Sequence, residues 1–277
     1  MTYTTEAQMK MEDIKKVQLS ILDFIRNVCK KHNLTYYLCG GTLIGAVRHK
    51  GYIPWDDDID IALLRDDYEK FIKIVSNNSS VYKIYTLYND TSYPYRCVKL
   101  YDSRTFLVEE AFEDLLLDIG VNVDIFPIDE VPQNKNRQKF LYFKIYFIDY
   151  LYQLKCAKIQ KQRKFYKNLI IIIVKILLFF ISYNQLSRLI DHIANKKYDS
   201  NFCGRVAMGY GLRQVVPKEV YSSVEKMWFE NRECTIPKGY HQLLTQVYGD
   251  YMKLPPIELR TGHKVRAFRK IYNIKEN

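Results

Sequence analysis

Residues 39–63 read CGGTLIGAVRHKGYIPWDDDIDIAL, and the order of residue types in this stretch sets the architecture around it. The apolar run Leu34–Leu38 before it predicts a short strand, which Gly40-Gly41 breaks. Thr42–His49 then fits a short helix, with Thr42 as candidate N-cap and Gly51 closing it. Ile59–Leu64 alternates apolar residues with acids and predicts a second strand. Upstream, Ile14, Val17, Ile21, Phe24, Ile25 and Val28 recur at helical spacing and predict an amphipathic helix over 6–32. Downstream, a helix is expected over Asp66–Val75, a polar turn over Ser76–Ser80, and strands over Lys83–Tyr88, Tyr95–Tyr101 and Gly120–Phe126. The fold class is therefore α+β. From Asn134 to about Lys197 the chain lacks Gly and Pro and reads as helical. Mixed short elements and a helix at Tyr240–Tyr248 follow, after which Pro255-Pro256 is expected to end the ordered pattern and leave a basic tail.

The chemistry is concentrated in the same stretch. A glycine pair between strand and helix lets backbone N–H groups approach an anion, and the helix N-terminus adds partial positive charge, although such pairs also serve as plain turns. Asp56, Asp57, Asp58 and Asp60 fall within five residues. With Ile59 and Ile61 facing a core, Asp58 and Asp60 share the opposite strand face, where they repel unless a cation joins them. Hard oxygen donors in that number suit magnesium beside substrate phosphates; the other reading is a solvated acidic turn. A calcium loop is disfavoured, because the D-x-D-x-D spacing is followed by Ile61 where Gly is needed and by Asp67 where Glu is needed. Asp124, between Val123 and Ile125, is the third carboxylate expected to meet this pair, as metal ligand or as acceptor of a hydroxyl proton. Asp129 reads as a strand-end acid, and Asp102 as a turn residue or a supporting acid. Arg48 and Lys50 read either as helix-end cations or, for Arg48, as a phosphate ligand.

The 277 residues are 48% apolar and 26% charged, enough to bury a sizeable core. No two of the six cysteines stand at CxxC spacing, which argues against structural zinc or a disulfide framework and for reduced cytosolic thiols. The first sixteen residues hold no apolar signal core, so a cytoplasmic location is expected. The formal net charge of +11 invites a nucleic-acid reading, but residues 135–183 carry eleven Lys or Arg and one acid, Asp149. The remainder is nearly neutral, and charge confined to one apolar segment argues against nucleic acid.

With these residues in place, GGTLIGAVRHKGYIPWDDDIDIALLRDDYEKF resembles the signature of the LicD family of phosphotransferases. The resemblance continues in KLYDSRT (Lys99–Thr105), VDIFPID (Val123–Asp129), VPKEVY, IPKGY and YGDYMKLPP (Tyr248–Pro256), and extends to His263. It covers roughly residues 10–130 and 205–265. It implies a nucleotidyltransferase fold of the DNA polymerase β type, with residues 1–133 as catalytic core, 134–200 as a helical, basic, apolar insertion, and 201–277 completing the catalytic domain. It implies metal-dependent transfer (Mg2+ or Mn2+) of a phospho-alcohol, phosphocholine first, from a CDP-activated donor such as CDP-choline to a surface glycan of the lipopolysaccharide or teichoic acid kind. By the resemblance Gly40, Gly41 and Thr42 hold phosphate, Asp58, Asp60 and Asp124 hold metal, and Arg48, His49 and Lys99 line the donor site. A nucleotidyltransferase moving a nucleoside monophosphate would use the same residues.

The segment Leu169–Ile181, LIIIIVKILLFFI, is too short to span a bilayer as a helix, at about 20 Å against about 30 Å of hydrocarbon. Preceded by KIQKQRKFYK, it reads either as a helix lying on an anionic membrane surface, at the inner face of the cell membrane, or as a buried core helix.

Overall fold

A computed structural model describes residues 3–78, 80–90, 93, 95–109, 117–162, 164–208, 211–262 and 265–272. In chain order its elements are β1 (Tyr3–Gln8), α1 (Met11–Lys31), β2 (Tyr36–Leu38), α2 (Gly40–His49), β3 (Asp60–Leu64), α3 (Arg65–Ser76), β4 (Tyr82–Tyr85), β5 (Val98–Asp102), β6 (Thr105–Glu109), β7 (Asn122–Val131), α4 (Lys135–Cys156), α5 (Phe165–Leu177), α6 (Tyr183–Ala194), β8 (Phe202–Gly204), β9 (Val216–Pro217), β10 (Val224–Phe229), β11 (Arg232–Pro237), α7 (Tyr240–Tyr248) and β12 (Val265–Tyr272). The fold is α+β. The chain forms two compact units: residues 1–85, 98–127 and 219–277 make the first, residues 86–97 and 128–218 the second. The helical unit thus also takes in residues 86–97 and 201–218.

In the first unit the strands run β2-β3-β7-β5-β4. β2 and β3 are antiparallel, with Leu38 opposite Ile61, and β5 and β7 are antiparallel, with Lys99 opposite Asp124. Against this sheet α1 buries Ile14, Ile21, Leu22, Ile25 and Val28. Its acids sit in the first turn (Glu12, Asp13) and its lysines in the last (Lys30, Lys31), each favourable to the helix dipole. A second sheet, β1-β12-β6, is antiparallel throughout and covers a small core of Met9, Ile14, Leu107, Val121 and Ala267.

This second sheet corrects the expectation at both chain ends. Residues 3–8 are a strand and not the start of the helix, and the basic tail after Pro256 is ordered, its Val265–Tyr272 forming the central strand. Its lysines and arginines masked a period-two pattern in which Ala267 is the buried residue. The hairpin β10–β11 turns on Glu230 and Asn231, both with positive φ, the conformation of a tight two-residue hairpin turn.

The second unit packs α4 on α6 around Leu141, Tyr142, Ile145, Ile148, Leu186, Ile190 and Ala194. The expected single helical stretch is three helices. Asn134 caps α4 by accepting from the Asn136 and Arg137 N–H groups, and Ser182 with Gln185 forms a capping box that starts α6. β8 pairs with the distal half of β7, Asp129 opposite Gly204. None of the six cysteines, all among the described residues, forms a disulfide; burial pushes Cys29 and Cys203 up to about 12.

Candidate active site

The glycine pair opens α2 itself: the helix starts at Gly40, with Cys39 as N-cap, and not at Thr42. Each glycine has its own reason to be there. Gly40 holds φ +58°, which side chains rarely adopt. A Cβ on Gly41 would stand 2.6 Å from Asp56 Oδ2, so the acidic loop lies against the first turn of α2. At the other end, Gly45 lets the loop back in close: a Cβ there would strike the Gly51 carbonyl oxygen. The helix ends on Lys50 in the left-handed conformation, one residue before the expected Gly51. Gly51 is needed instead because the Glu230 carboxylate packs on it, and Glu230 Oε1 accepts from the Tyr52 N–H at 3.1 Å.

The side chain of Thr42 is buried, and its Oγ1 accepts the Asp60 N–H at 2.8 Å. It is not the helix cap; it fixes the start of β3. Ile59 and Ile61 are wholly buried while Asp58 and Asp60 are half-buried, so the alternation read from the sequence holds. The Asp124 N–H donates to the Ile59 carbonyl at 3.0 Å, which brings Asp124, also half-buried, alongside the Asp58–Asp60 segment.

Lys99 supplies a cation from within the protein. It is only 4% exposed, and its Nζ lies 2.7 Å from Asp124 Oδ1, 3.3 Å from Glu109 Oε1 and 3.2 Å from Asn122 Oδ1. Lys99 is therefore engaged as the partner of Asp124. Among the described residues no group of three or more His, Cys, Asp or Glu side chains gathers closely enough to hold a metal by itself.

Arg48 Nε donates to His49 Nε2 at 2.8 Å, and Arg48 Nη1 donates to the Tyr251 carbonyl at 2.9 Å and the Lys253 carbonyl at 3.4 Å. The pair clamps the end of α2 to the YGDYMK segment, two hundred residues away in sequence. Partial burial, then the neighbouring Arg48 charge, lowers the His49 pKa, which keeps Nε2 available as the acceptor. Arg48 is itself lowered by burial and by nearby Arg260. Asp102 is the last residue of β5, opposite Tyr82, and its carboxylate accepts from the Arg104 N–H and guanidinium. His263 lies outside the described residues.

Sequence reasoning missed Gln18. Its Nε2 donates to the Asp57 carbonyl at 2.8 Å, and its Oε1 accepts from the Tyr52 hydroxyl at 2.9 Å, tying α1 to the acidic loop. The signal was present: a glutamine interrupts the buried stripe between Ile14 and Ile21. Trp55 and Arg260 were also missed; the guanidinium stacks 5.1 Å from the indole and holds the C-terminal segment on the loop.

A helix N-terminus, an acidic loop against it that carries Asp58, and the carboxylates of Asp60 in β3 and Asp124 in β7 form a site suited to phosphate chemistry. The family model described as LicD/FKTN/FKRP, nucleotidyltransferase domain, matches residues 33–160. The chain is 33% identical over 270 residues to the lipopolysaccharide cholinephosphotransferase LicD of Haemophilus influenzae, covering 94% of this chain and 97% of that protein. A shorter match, 39% over 75 residues, links it to the uncharacterized protein RT0683 of Rickettsia typhi, covering 26% of this chain and 24% of that one. The protein is an enzyme, a phosphotransferase. It belongs to the LicD family.

Proposed function

We propose that the enzyme transfers a phospho-alcohol, phosphocholine first, from a CDP-activated donor to a hydroxyl of lipopolysaccharide or of its lipid-linked precursor. The observation that carries this is end-to-end similarity to a protein named for cholinephosphate transfer to lipopolysaccharide. The first unit then has the nucleotidyltransferase fold, and the work is done at the inner face of the cell membrane. In the reaction the acceptor oxygen forms a bond to the phosphorus carrying the alcohol. The bond from that phosphorus to the CMP oxygen breaks, CMP leaves, and the hydroxyl proton passes to a carboxylate of the site.

The donor set suits a hard divalent cation: carboxylate oxygens only, half-buried, from the loop before β3, from β3 and from β7. Asp58, Asp60 and Asp124 would hold magnesium or manganese together with donor phosphate oxygens, and the cation would neutralise charge on the diphosphate. The start of α2 at Gly40-Gly41 offers backbone donors to a phosphate. Thr42 and Lys99 position Asp60 and Asp124, while Arg48 and His49 keep the Tyr251 segment at the rim.

The test is incubation with magnesium and CDP-choline, CDP-ethanolamine, CDP-glycerol or CDP-ribitol, with acceptor glycan, followed by detection of CMP. CMP release and labelled glycan with CDP-choline are expected. Pyrophosphate release from a nucleoside triphosphate would instead make this a nucleotidyltransferase. Asp58→Asn and Asp60→Asn should each cut CMP release by about two orders of magnitude or more while the fold survives. Full activity in EDTA would overturn the metal assignment.

A further inference from the structure

Helix α4 is apolar on two opposite sides. One side, with Leu141, Tyr142, Ile145, Ile148 and Tyr152, is buried in the core of the second unit. The other carries Phe140, Phe143, Phe147 and Tyr150, spaced three, four and three residues apart on one line and more than half exposed. A helix apolar all round requires a second apolar environment.

Helix α5 repeats the problem. Ile171 is its buried residue, while Phe165, Tyr166, Ile173, Ile176 and Leu177 are exposed, and Phe179 and Phe180 beyond its end are 74% and 91% exposed. The lysine in its last turn does not interrupt this surface. Lys175 is half-buried and close enough to Cys156, at the end of α4, to act on its thiol. Lys155 Nζ donates to the Leu178 carbonyl at 2.9 Å and ties the end of α5 to α4.

Charge decides what covers this surface. Lys139, Lys158, Lys161, Lys164 and Lys167 are exposed around the two helices. The one acid of residues 135–183, Asp149, is turned inward and pairs with Arg96 at 2.8 Å. Such a surface repels a second copy of itself and attracts an anionic, apolar partner. No helix among the described residues is long and apolar enough to cross a membrane, so the contact is with a surface.

We propose that the outer aromatic line of α4 and the exposed face of α5 form one docking surface for an anionic lipid bilayer, inserted to the depth of the headgroups. Aromatic rings suit that depth, and the flanking lysines meet anionic lipid. The choice of a bilayer draws on the proposed lipid-linked acceptor, but the assay below reads binding and not turnover, so either proposal can fail alone.

The experiment is flotation of the full chain with vesicles of phosphatidylcholine alone or of phosphatidylcholine with phosphatidylglycerol, at low and high salt. Binding is expected to the anionic vesicles and much less to the neutral ones. High salt should weaken it several-fold without abolishing it, since the apolar part is unscreened. Two independent variants are used, each checked for an unchanged melting temperature: Phe143→Ser with Phe147→Ser, and Phe179→Ser with Phe180→Ser. Each should reduce vesicle binding by about tenfold or more. Lys161→Gln with Lys164→Gln and Lys167→Gln should lose the preference for anionic vesicles. Failure to float with anionic vesicles, wild-type binding by both serine variants, or concentration-dependent dimers that the serine variants abolish in place of vesicle binding would each overturn the proposal.

Discussion

The positions of Asp60 and Asp124 depend on a buried hydroxyl and a buried ammonium. Thr42→Val keeps the shape of the side chain but leaves the Asp60 N–H without its acceptor, which should cost about 1–3 kcal/mol. CMP release should fall as well, and Thr42→Ser should restore both; equal melting temperatures for the threonine and valine proteins would refute the role. Asp124 is a different case. Repulsion among like carboxylates alone predicts that Asp124→Asn keeps or raises stability. The ion pair with Lys99, 5% exposed at its side chain, predicts the opposite. Glu109 still faces the ammonium and an amide oxygen still accepts, so a loss of about 1–3 kcal/mol is expected in denaturant unfolding, together with a large loss of turnover. A rise in stability would show that repulsion governs the cluster.

At the scale of elements, α2 is held at both ends by distant chain. Arg48→Lys retains the charge but loses the planar set of donors that reaches His49 and the Tyr251 and Lys253 carbonyls at once. Hydrogen exchange at residues 249–255 should accelerate in that variant while the β-sheet stays protected. The clamp also carries a pH dependence. The folded-state pKa of His49 lies below its ordinary 6.5, so between that value and the lowered one the unfolded chain binds more protons. Stability from this group is therefore fully present above about 6.5 and lost as pH falls through the lowered folded value. The wild type should lose more melting temperature between neutral and mildly acidic pH than His49→Gln, whose amide accepts from Arg48 at either pH.

For the molecule as a whole, the last strand is a structural member. β12 lies between β1 and β6 and buries Ala267. A chain ending at Gly262 should leave both partner strands without their ladders and open the core around Met9 and Leu107. Circular dichroism melting of the truncated protein should show a large loss of stability, whereas an unstructured tail would be removed without effect. The second unit is organised differently: its buried side follows helical periodicity, and the opposite side of the same helices is apolar as well.

The sequence by itself determined the α+β class, the strand–glycine–helix–strand order around the site, and the alternation that buries Ile59 and Ile61. These follow from local rules: period-two alternation places Ile59 and Ile61 inward, and glycines are read from their chemistry. The family was legible for the same reason, since its signature is contiguous. The tertiary structure decided the rest. Lys99 is assigned to the donor site by resemblance alone, and only the fold brings Asp124 and Glu109 to it from two other strands. Arg48 reads as a helix-end charge until residues 251–253 return to it. Residues 265–272 read as a basic tail because period-two alternation among arginines and lysines is weak. Pairing between residues far apart in sequence is invisible until the chain closes the loops that join them.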